Sequence, residues 1–430
     1  MKTHGKHITP FGGIVPILKQ INGFGIPQTI RKSLGIRRKQ CAYDYKDIIL
    51  SWVLTNFCGG LRLDHISEIG RNISIVNKLG LKIPSHDTLG RSFKSLATKT
   101  VTKAGKGHHE KVSIGKYNDN LPLNHLLVSA TKKTKLLKEG LSYTLDMDST
   151  IIPTECYESN KSYIYENGIH PMVCSIGKLP VFITMRSGNV SPQAEIKETL
   201  MKSIDILSKH KIKVGKVRMD SAGYSVNALR YLDEQNIKFY VCGRQTQSVM
   251  HTIKYKKKWQ PATFKSANRT IKCESTSVYH ELRNEKREYR IAVIRTKKNS
   301  KKKQEWITEG KYSYKLIITN DFESSEEDIM HFYNQRGSAE RNFDVLKNHH
   351  GWKYPPFSFL NQNLVFLIIG ALSNNIYQAI IAQLNELKPS LKLGNMRLEK
   401  FKRKFINAIC QYVNGNFDLR SIKIAFEKIA

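Results

Sequence analysis

The sequence predicts an α/β protein: a core of mixed strands and helices, a mostly β stretch that interrupts it, and a helical N-terminal region. Three observations carry this. From residue 141 onward the pattern runs three strands, helix, strand, helix, strand. Residues 245–313 then show alternating strand-like runs. Up to about residue 135, apolar residues recur mostly at helical spacing instead. The implied boundaries are 1–135, 136–244, 245–313, 314–385 and a basic helical segment at 386–430.

Residues 45–57 are apolar on a helical period, and 61–69 continue it after the Gly59-Gly60 break. Ser85 or Asp87 can cap a short helix that carries Arg91 and Lys94, the kind of segment a DNA recognition helix needs. Any capped surface helix looks similar. Residues 98–116 are basic and polar and read as a linker or a DNA-tracking loop.

In residues 141–150, Leu141, Tyr143, Leu145 and Met147 alternate with Ser142, Thr144, Asp146 and Asp148. This is a strand with two carboxylates on its polar face. Residues 171–176 and 179–186 are strands joined by a turn at Gly177-Lys178. A helix at 193–209 leads to a strand that ends on Asp220, then a tight turn, a helix at 225–235 and a strand at 238–242. That order matches a ribonuclease-H-like fold, in which the first and fourth strands are neighbours. Asp148 and Asp220 are then expected at adjacent strand ends.

Strand-like runs follow at 251–255, 270–278 and 289–295, with Trp259 and Trp306 nearby. The tryptophans could stack on a base, or form a small core. Residues 314–319 return as a strand. Ser324 or Ser325 can cap a long helix, Glu326-Glu327-Asp328 suit its N-terminal dipole, and Gly351 is its stop. Two apolar helices are expected after Pro356, the first broken at Ser373-Asn374-Asn375 and buried rather than membrane-spanning.

At about 100° per residue, Tyr333, Arg336, Glu340 and Lys347 fall on one side of that long helix. Phe332, Ala339, Phe343 and Leu346 form an apolar stripe beside them. Such a row suits a phosphate backbone, with a carboxylate free for a metal. Arg336 and Glu340 also fit an ordinary solvated i,i+4 pair.

The 430 residues hold 70 Lys and Arg against 36 Asp and Glu, a formal charge of +34. The excess points to a polyanion, most simply nucleic acid. No long amphipathic basic helix supports a membrane surface. Seven scattered cysteines without a C-x-x-C pair suggest neither zinc nor disulfides. The apolar patch at 14–18 is too short for a signal peptide and contains Pro16.

The spacing Y-x2-R-x3-E-x6-K, from Tyr333 to Lys347, resembles the signature of insertion-sequence DDE transposases, groups 4 and 1380. Group 1380 also carries a segment similar to residues 84–89. The resemblance covers roughly residues 140–385. It implies a ribonuclease-H-like catalytic core interrupted by a mostly β insertion, with a helical N-terminal DNA-binding region. It implies that Asp148, Asp220 and Glu340 bind metal and perform catalysis. Tyr333, Arg336 and Lys347 would grip phosphates around the cleaved end. Three carboxylates suit two Mg2+ ions, with Mn2+ as a substitute. The implied partners are double-stranded DNA, as element ends and target, and a second copy of the chain in a synaptic homodimer. The implied setting is the prokaryotic cytoplasm, at the nucleoid. The alternatives are a nuclease or resolvase of the same fold without strand transfer, and a non-catalytic DNA-binding derivative. Asp344 is the reserve third acid, Asp146 a neighbour of the first, and His349-His350 face solvent, DNA or a metal.

Overall fold

The computed structural model describes residues 8–38, 40–70, 76–77, 79–105, 112–266, 269–281, 287–297, 312–387, 389–391, 393–408, 410–413 and 416–418. Helices α1 (Ile14–Gly23), α2 (Ile26–Leu34) and α3 (Tyr45–Phe57) open the chain. Asp44 and Asp47 close a capping box on α3, whose residues from Asp47 to Phe57 are all buried. Residues 61–69 form a 3-10 turn, Leu63–His65, and a short helix, Ile66–Gly70. Helix α4 (His86–Ser95) starts at Ser85, whose hydroxyl accepts from Thr88 N at 3.3 Å.

Within residues 98–116, expected as a linker or loop, β1 (Val101–Gly105) instead pairs antiparallel with β2 (Ser113–Asn118). β1 is exposed nearly throughout, so it lacks the apolar alternation that marks a half-buried strand. Backbone pairing of Tyr117 and Asn118 with Arg186 and Met185 ties the two strands to the main sheet.

After α5 (Leu121–Lys133) comes the core: β3 (Ser142–Ser149), β4 (Asn167–Ile176), β5 (Leu179–Ser187), α6 (Ile196–Lys209), β6 (Lys213–Met219), α7 (Val226–Glu234) and β7 (Lys238–Cys242). β3, β4 and β5 are antiparallel neighbours. β3 pairs parallel with β6, and β6 with β7. The first and fourth strands of this unit are therefore adjacent, as expected.

The run at 251–255 is helical rather than a strand. It belongs to α8 (Gln247–Lys254), capped by Thr246, whose hydroxyl accepts from Val249 N. Four strands follow: β8 (Gln260–Ser266), β9 (Arg269–Glu281), β10 (Glu288–Lys297) and β11 (Tyr312–Thr319). β11 pairs antiparallel with both β7 and β10. The strands from residues 245–313 thus extend the same sheet. Its order is β8-β9-β10-β11-β7-β6-β3-β4-β5-β2-β1, thirteen strands among the described residues once two short strands on β4 are counted.

The expected single helix is broken. α9 (Glu326–Asn334) ends in a 3-10 turn, Gln335–Gly337, and α10 (Ser338–His349) resumes after it. Conversely, the two helices expected after Pro356 are one, α11 (Leu360–Leu387). The polar triplet does not break it. Asn374 donates to Lys178 O at 3.0 Å, and Asn375 to Pro180 O and Thr131 Oγ1, each at 2.8 Å. These buried amides satisfy backbone and hydroxyl groups of the sheet and α5, so the helix passes through the core intact. α11 is long and apolar enough to cross a membrane, but 94% of its most apolar window is buried inside the protein. The C-terminal segment is not simply helical. A short helix, Leu398–Phe401, is followed by strands Cys410–Val413 and Asn416–Asp418, the first pairing with Ile8–Thr9.

Two apolar layers sandwich the sheet. One joins α1–α5 and α11 around Trp52, Phe93 and Phe366. The other packs α6 and α7 on the opposite face. Each fully buried large side chain contributes about 1.5–3 kcal/mol relative to exposure. That burial holds the ends of β3 and β6 in place.

Candidate active site

Parallel pairing sets Asp146 beside Arg218 and Met147 beside Met219. The next residues along the two strands are Asp148 and Asp220. Side chains alternate on a strand, so Asp146, Asp148, Arg218 and Asp220 share one face. Asp146, 2% exposed, accepts from Arg218 Nε at 2.6 Å and Nη2 at 2.7 Å. Arg218 Nη1 then donates to Phe332 O at 2.8 Å. In an uninterrupted α-helix that carbonyl would accept from the amide of residue 336. Here Arg218 holds it, Gly337 follows, and the helix tightens into the 3-10 turn.

The turn changes where the signature residues stand. Tyr333 is on α9, Arg336 in the turn, and Glu340 and Lys347 on α10. They do not lie on one continuous helical face. Arg336 Nη1 donates to Asp148 Oδ2 at 2.9 Å. Lys347 Nζ donates to Thr150 Oγ1 at 2.7 Å and Ile151 O at 3.0 Å. Tyr333 is buried, its ring centre 6.0 Å from the Arg336 guanidinium and 5.3 Å from Lys315 Nζ. Asp220 caps a 3-10 turn, Ser221–Gly223, accepting from Ala222 N at 2.9 Å and Gly223 N at 3.3 Å. The structure therefore brings Asp148, Asp220, Tyr333, Arg336 and Lys347 into one neighbourhood. The backbone of Glu340 lies between Arg336 and Lys347, and its side chain is outside the described residues, as is that of Ala339.

The electrostatics follow from this packing. Burial pushes the Asp148 carboxyl above its ordinary range; Arg336 opposes the rise, and the Asp220 carboxylate adds to it. Burial works against the Arg336 charge, yet Tyr333, Asp148 and Asp220 together hold it firmly protonated. Burial lowers the Lys347 ammonium and raises the Tyr333 phenol.

Two carboxylates on neighbouring strand ends are hard oxygen donors of the kind a divalent cation takes. Asp148 already attracts one cation, Arg336. The donor set fits a metal to that extent. Among the described residues no group of three or more His, Cys, Asp or Glu could hold an ion. The expected third donor is Glu340.

Other expected residues stand elsewhere. Arg91 lies exposed on α4 with its Nη2 3.4 Å from Thr88 Oγ1, and Lys94 Nζ lies 5.9 Å from the Phe357 ring centre. Neither has a hydrogen bond or ion pair to the acidic pair among the described residues. Asp344 is exposed and accepts from Asn348 Nδ2 at 2.7 Å. His350 does not face solvent: it is fully buried, with neither ring nitrogen hydrogen-bonded among the described residues, and burial brings its pKa down to about 3. Trp259 is packed: Arg295 sits 3.9 Å from its ring centre, and Nε1 donates to Lys256 O at 3.0 Å. Trp306 lies outside the described residues.

Sequence reasoning did not assign the Asp146–Arg218 pair. The signal existed: each residue precedes a candidate acid by two, on two strands expected to be adjacent. It also missed buried His170 and Arg186 behind β3, and the exposed tyrosines Tyr157, Tyr163 and Tyr165 between β3 and β4.

A family profile described as "Transposase DDE domain group 1" matches residues 1–414. No curated protein sequence matches the chain. Among solved structures, a piggyBac transposase synaptic complex with hairpin DNA is similar at 11% identity and a TM-score of 0.42, over 96% of this chain and 84% of that one.

Proposed function

The chain belongs to the transposase DDE domain group 1 family, and on that premise we propose that it binds the terminal inverted repeats of an insertion sequence, cleaves the ends and joins the 3′ ends to target DNA. The observation that carries this reading is the convergence of Asp148 and Asp220 on neighbouring strand ends, with Arg336 on Asp148 and Lys347 on the adjoining Thr150. The strand order β5-β4-β3-β6-β7 supports a ribonuclease-H-like catalytic core, and the signature spacing supports a Y-R-E-K type enzyme.

Asp148, Asp220 and Glu340 would hold two Mg2+ ions, replaceable by Mn2+, which supply Lewis acidity for an in-line phosphoryl displacement. Arg336 keeps Asp148 partnered in the DNA-free protein and presents its planar fork to a phosphate beside the scissile bond. Tyr333 backs that guanidinium. Lys347 adds a second cation, anchored on the strand end. The formal charge of +34 supports backbone contacts along both element-end and target duplexes. The N-terminal 135 residues, with Arg91 and Lys94, would read the terminal repeat, and two copies of the chain would hold two ends in the cytoplasm.

The test is strand transfer. A pre-cut end with a free 3′ hydroxyl is incubated with the protein, Mg2+ and a supercoiled plasmid. Covalently joined product is expected. Plasmid nicking without joining would favour a nuclease or resolvase.

A further inference from the structure

Behind the acidic pair lies a buried cation that the proposed chemistry does not use. Arg186, on β5, has no exposed surface. None of its hydrogen bonds among the described residues goes to a carboxylate. Nε donates to His170 O at 3.3 Å, and Nη1 to the carbonyls of Ser191, Pro192 and Ala194 at 3.3, 3.2 and 3.1 Å. Nη2 donates to His170 Nε2 at 3.0 Å. A guanidinium can only donate, so His170 Nε2 carries no proton. The ring proton is on Nδ1, which donates to Val190 O at 3.2 Å.

His170 Nε2 also lies 3.1 Å from Ser149 Oγ; the unprotonated nitrogen can only accept, so the hydroxyl donates, sharing the one ring lone pair with Arg186. Ser149 follows Asp148, and its backbone N–H donates to Asp148 Oδ1 at 2.8 Å. Next along, Thr150 N donates to Pro171 O at 3.1 Å, on the strand that carries His170. One oxygen of Asp148 is thus set by the Ser149 peptide, and the other by Arg336.

We propose that Arg186 and His170 are positioning residues, which orient Asp148 through the Ser149 hydroxyl and peptide. The inference rests on reading Asp148 as a metal-binding acid. A fully buried guanidinium whose hydrogen bonds, among the described residues, go to uncharged partners is costly to desolvate, and an apolar side chain would fill the same space without that cost. What Arg186 adds is one ring tautomer at His170 and hence one donor direction at Ser149. Partners behind a metal-binding carboxylate set its aim in this way, and their loss typically lowers activity about 10–100-fold.

The experiment is single-turnover cleavage of terminal-repeat DNA by the full chain in Mg2+, with DNA affinity measured in parallel. Ser149→Ala removes one hydroxyl and leaves the fold. It is expected to slow cleavage about tenfold with DNA affinity unchanged. His170→Ala is expected to slow it at least as much, and His170→Gln, which restores an acceptor near Nε2, to recover part. Ser149→Ala combined with His170→Ala should be no slower than His170→Ala alone, because both act through one contact. Additive losses, an unchanged rate in Ser149→Ala, or a fall in DNA affinity matching the fall in rate would overturn the inference. Asp148→Asn run alongside separates the two levels: cleavage retained there overturns the acid assignment and this inference with it, whereas cleavage lost there but unchanged in Ser149→Ala overturns this inference alone.

Discussion

Asp146 and Asp148 stand two residues apart on the same face of β3, and each holds an arginine. Asp146 is clamped by a single partner. Both its oxygens take a nitrogen of Arg218, and the third nitrogen of that guanidinium ends on a helix carbonyl. Asp148 takes a single bond from Arg336, which sits in a 3-10 turn, and its other oxygen takes a backbone N–H. A second carboxylate, Asp220, presses on it. The same pair of residue types thus gives a closed structural clamp at one position and an exchangeable contact at the next. Depth of burial and bidentate pairing, rather than residue identity, separate the two acids: the Asp146 side chain is 2% exposed and the Asp148 side chain 14%. The clamp also shapes the site, because Arg218 helps to break the helix where Arg336 must leave it.

The largest expected effect lies on the exchangeable side. Asp148→Asn and Asp220→Asn should each reduce end cleavage below about a thousandth of wild type, the scale of losing an electrostatic element of an active site. DNA binding should persist, since it rests on phosphate contacts. Gel-shift and cleavage assays on the same preparations check both halves.

On the clamp side the expected loss is stability. Arg218→Ala leaves Asp146 buried without its partner and should cost about 3–5 kcal/mol in urea unfolding. Arg218→Met combined with Asp146→Leu should recover most of that cost, because a well-packed apolar pair avoids desolvating two ions. If the double variant is no more stable than Arg218→Ala, the clamp is more than a buried ion pair.

A smaller effect concerns pH. Because the folded protein holds the Asp148 carboxyl above its ordinary range, its contribution to stability is fully present below that range. It is lost as pH rises through the raised value. In chelator, Asp148→Asn should therefore melt higher than wild type at neutral pH, with the gap closing in acid. A gap that widens in acid would contradict the upward shift that burial imposes on the Asp148 carboxyl.

The smallest effect is at Lys347. Lys347→Ala should flatten the log-affinity versus log-salt slope by about one unit, with Arg341→Ala as the control that leaves it unchanged. Equal slopes in the two variants would remove Lys347 from the phosphate contacts.

Much of this is legible in the amino-acid sequence. Alternation at residues 141–150 places Asp146 and Asp148 on one face of a strand, and the order of elements places Asp220 beside them. The cap of α9, which the sequence offers at Ser324 or Ser325, is Ser325, its hydroxyl accepting from Asp328 N at 3.1 Å. The break at Gln335–Gly337 is not legible in this way. Helical periodicity is local, and the carbonyl of Phe332 is drawn away by an arginine 114 residues distant. The pair of β1 and β2 hid because β1 is solvated on both faces. α11 hid because its Asn374 and Asn375 look like a loop until their buried partners are known. His170 and Arg186 belong to strands otherwise rich in apolar residues, and their contact is made between strands.

The measurement that bears most directly on the site is a side-by-side cleavage time course of Asp148→Asn and Asp146→Asn, in Mg2+ and in Mn2+. The two side chains lie about 7 Å apart along the strand, too far to hold the same ion in the same way. Asp148→Asn is expected to be inactive in both metals. Asp146→Asn is expected to keep a measurable rate in Mg2+ and to gain in Mn2+. Cleavage by Asp148→Asn with none by Asp146→Asn would mean that the deeply buried, bidentate-paired acid, and not Asp148, performs the chemistry.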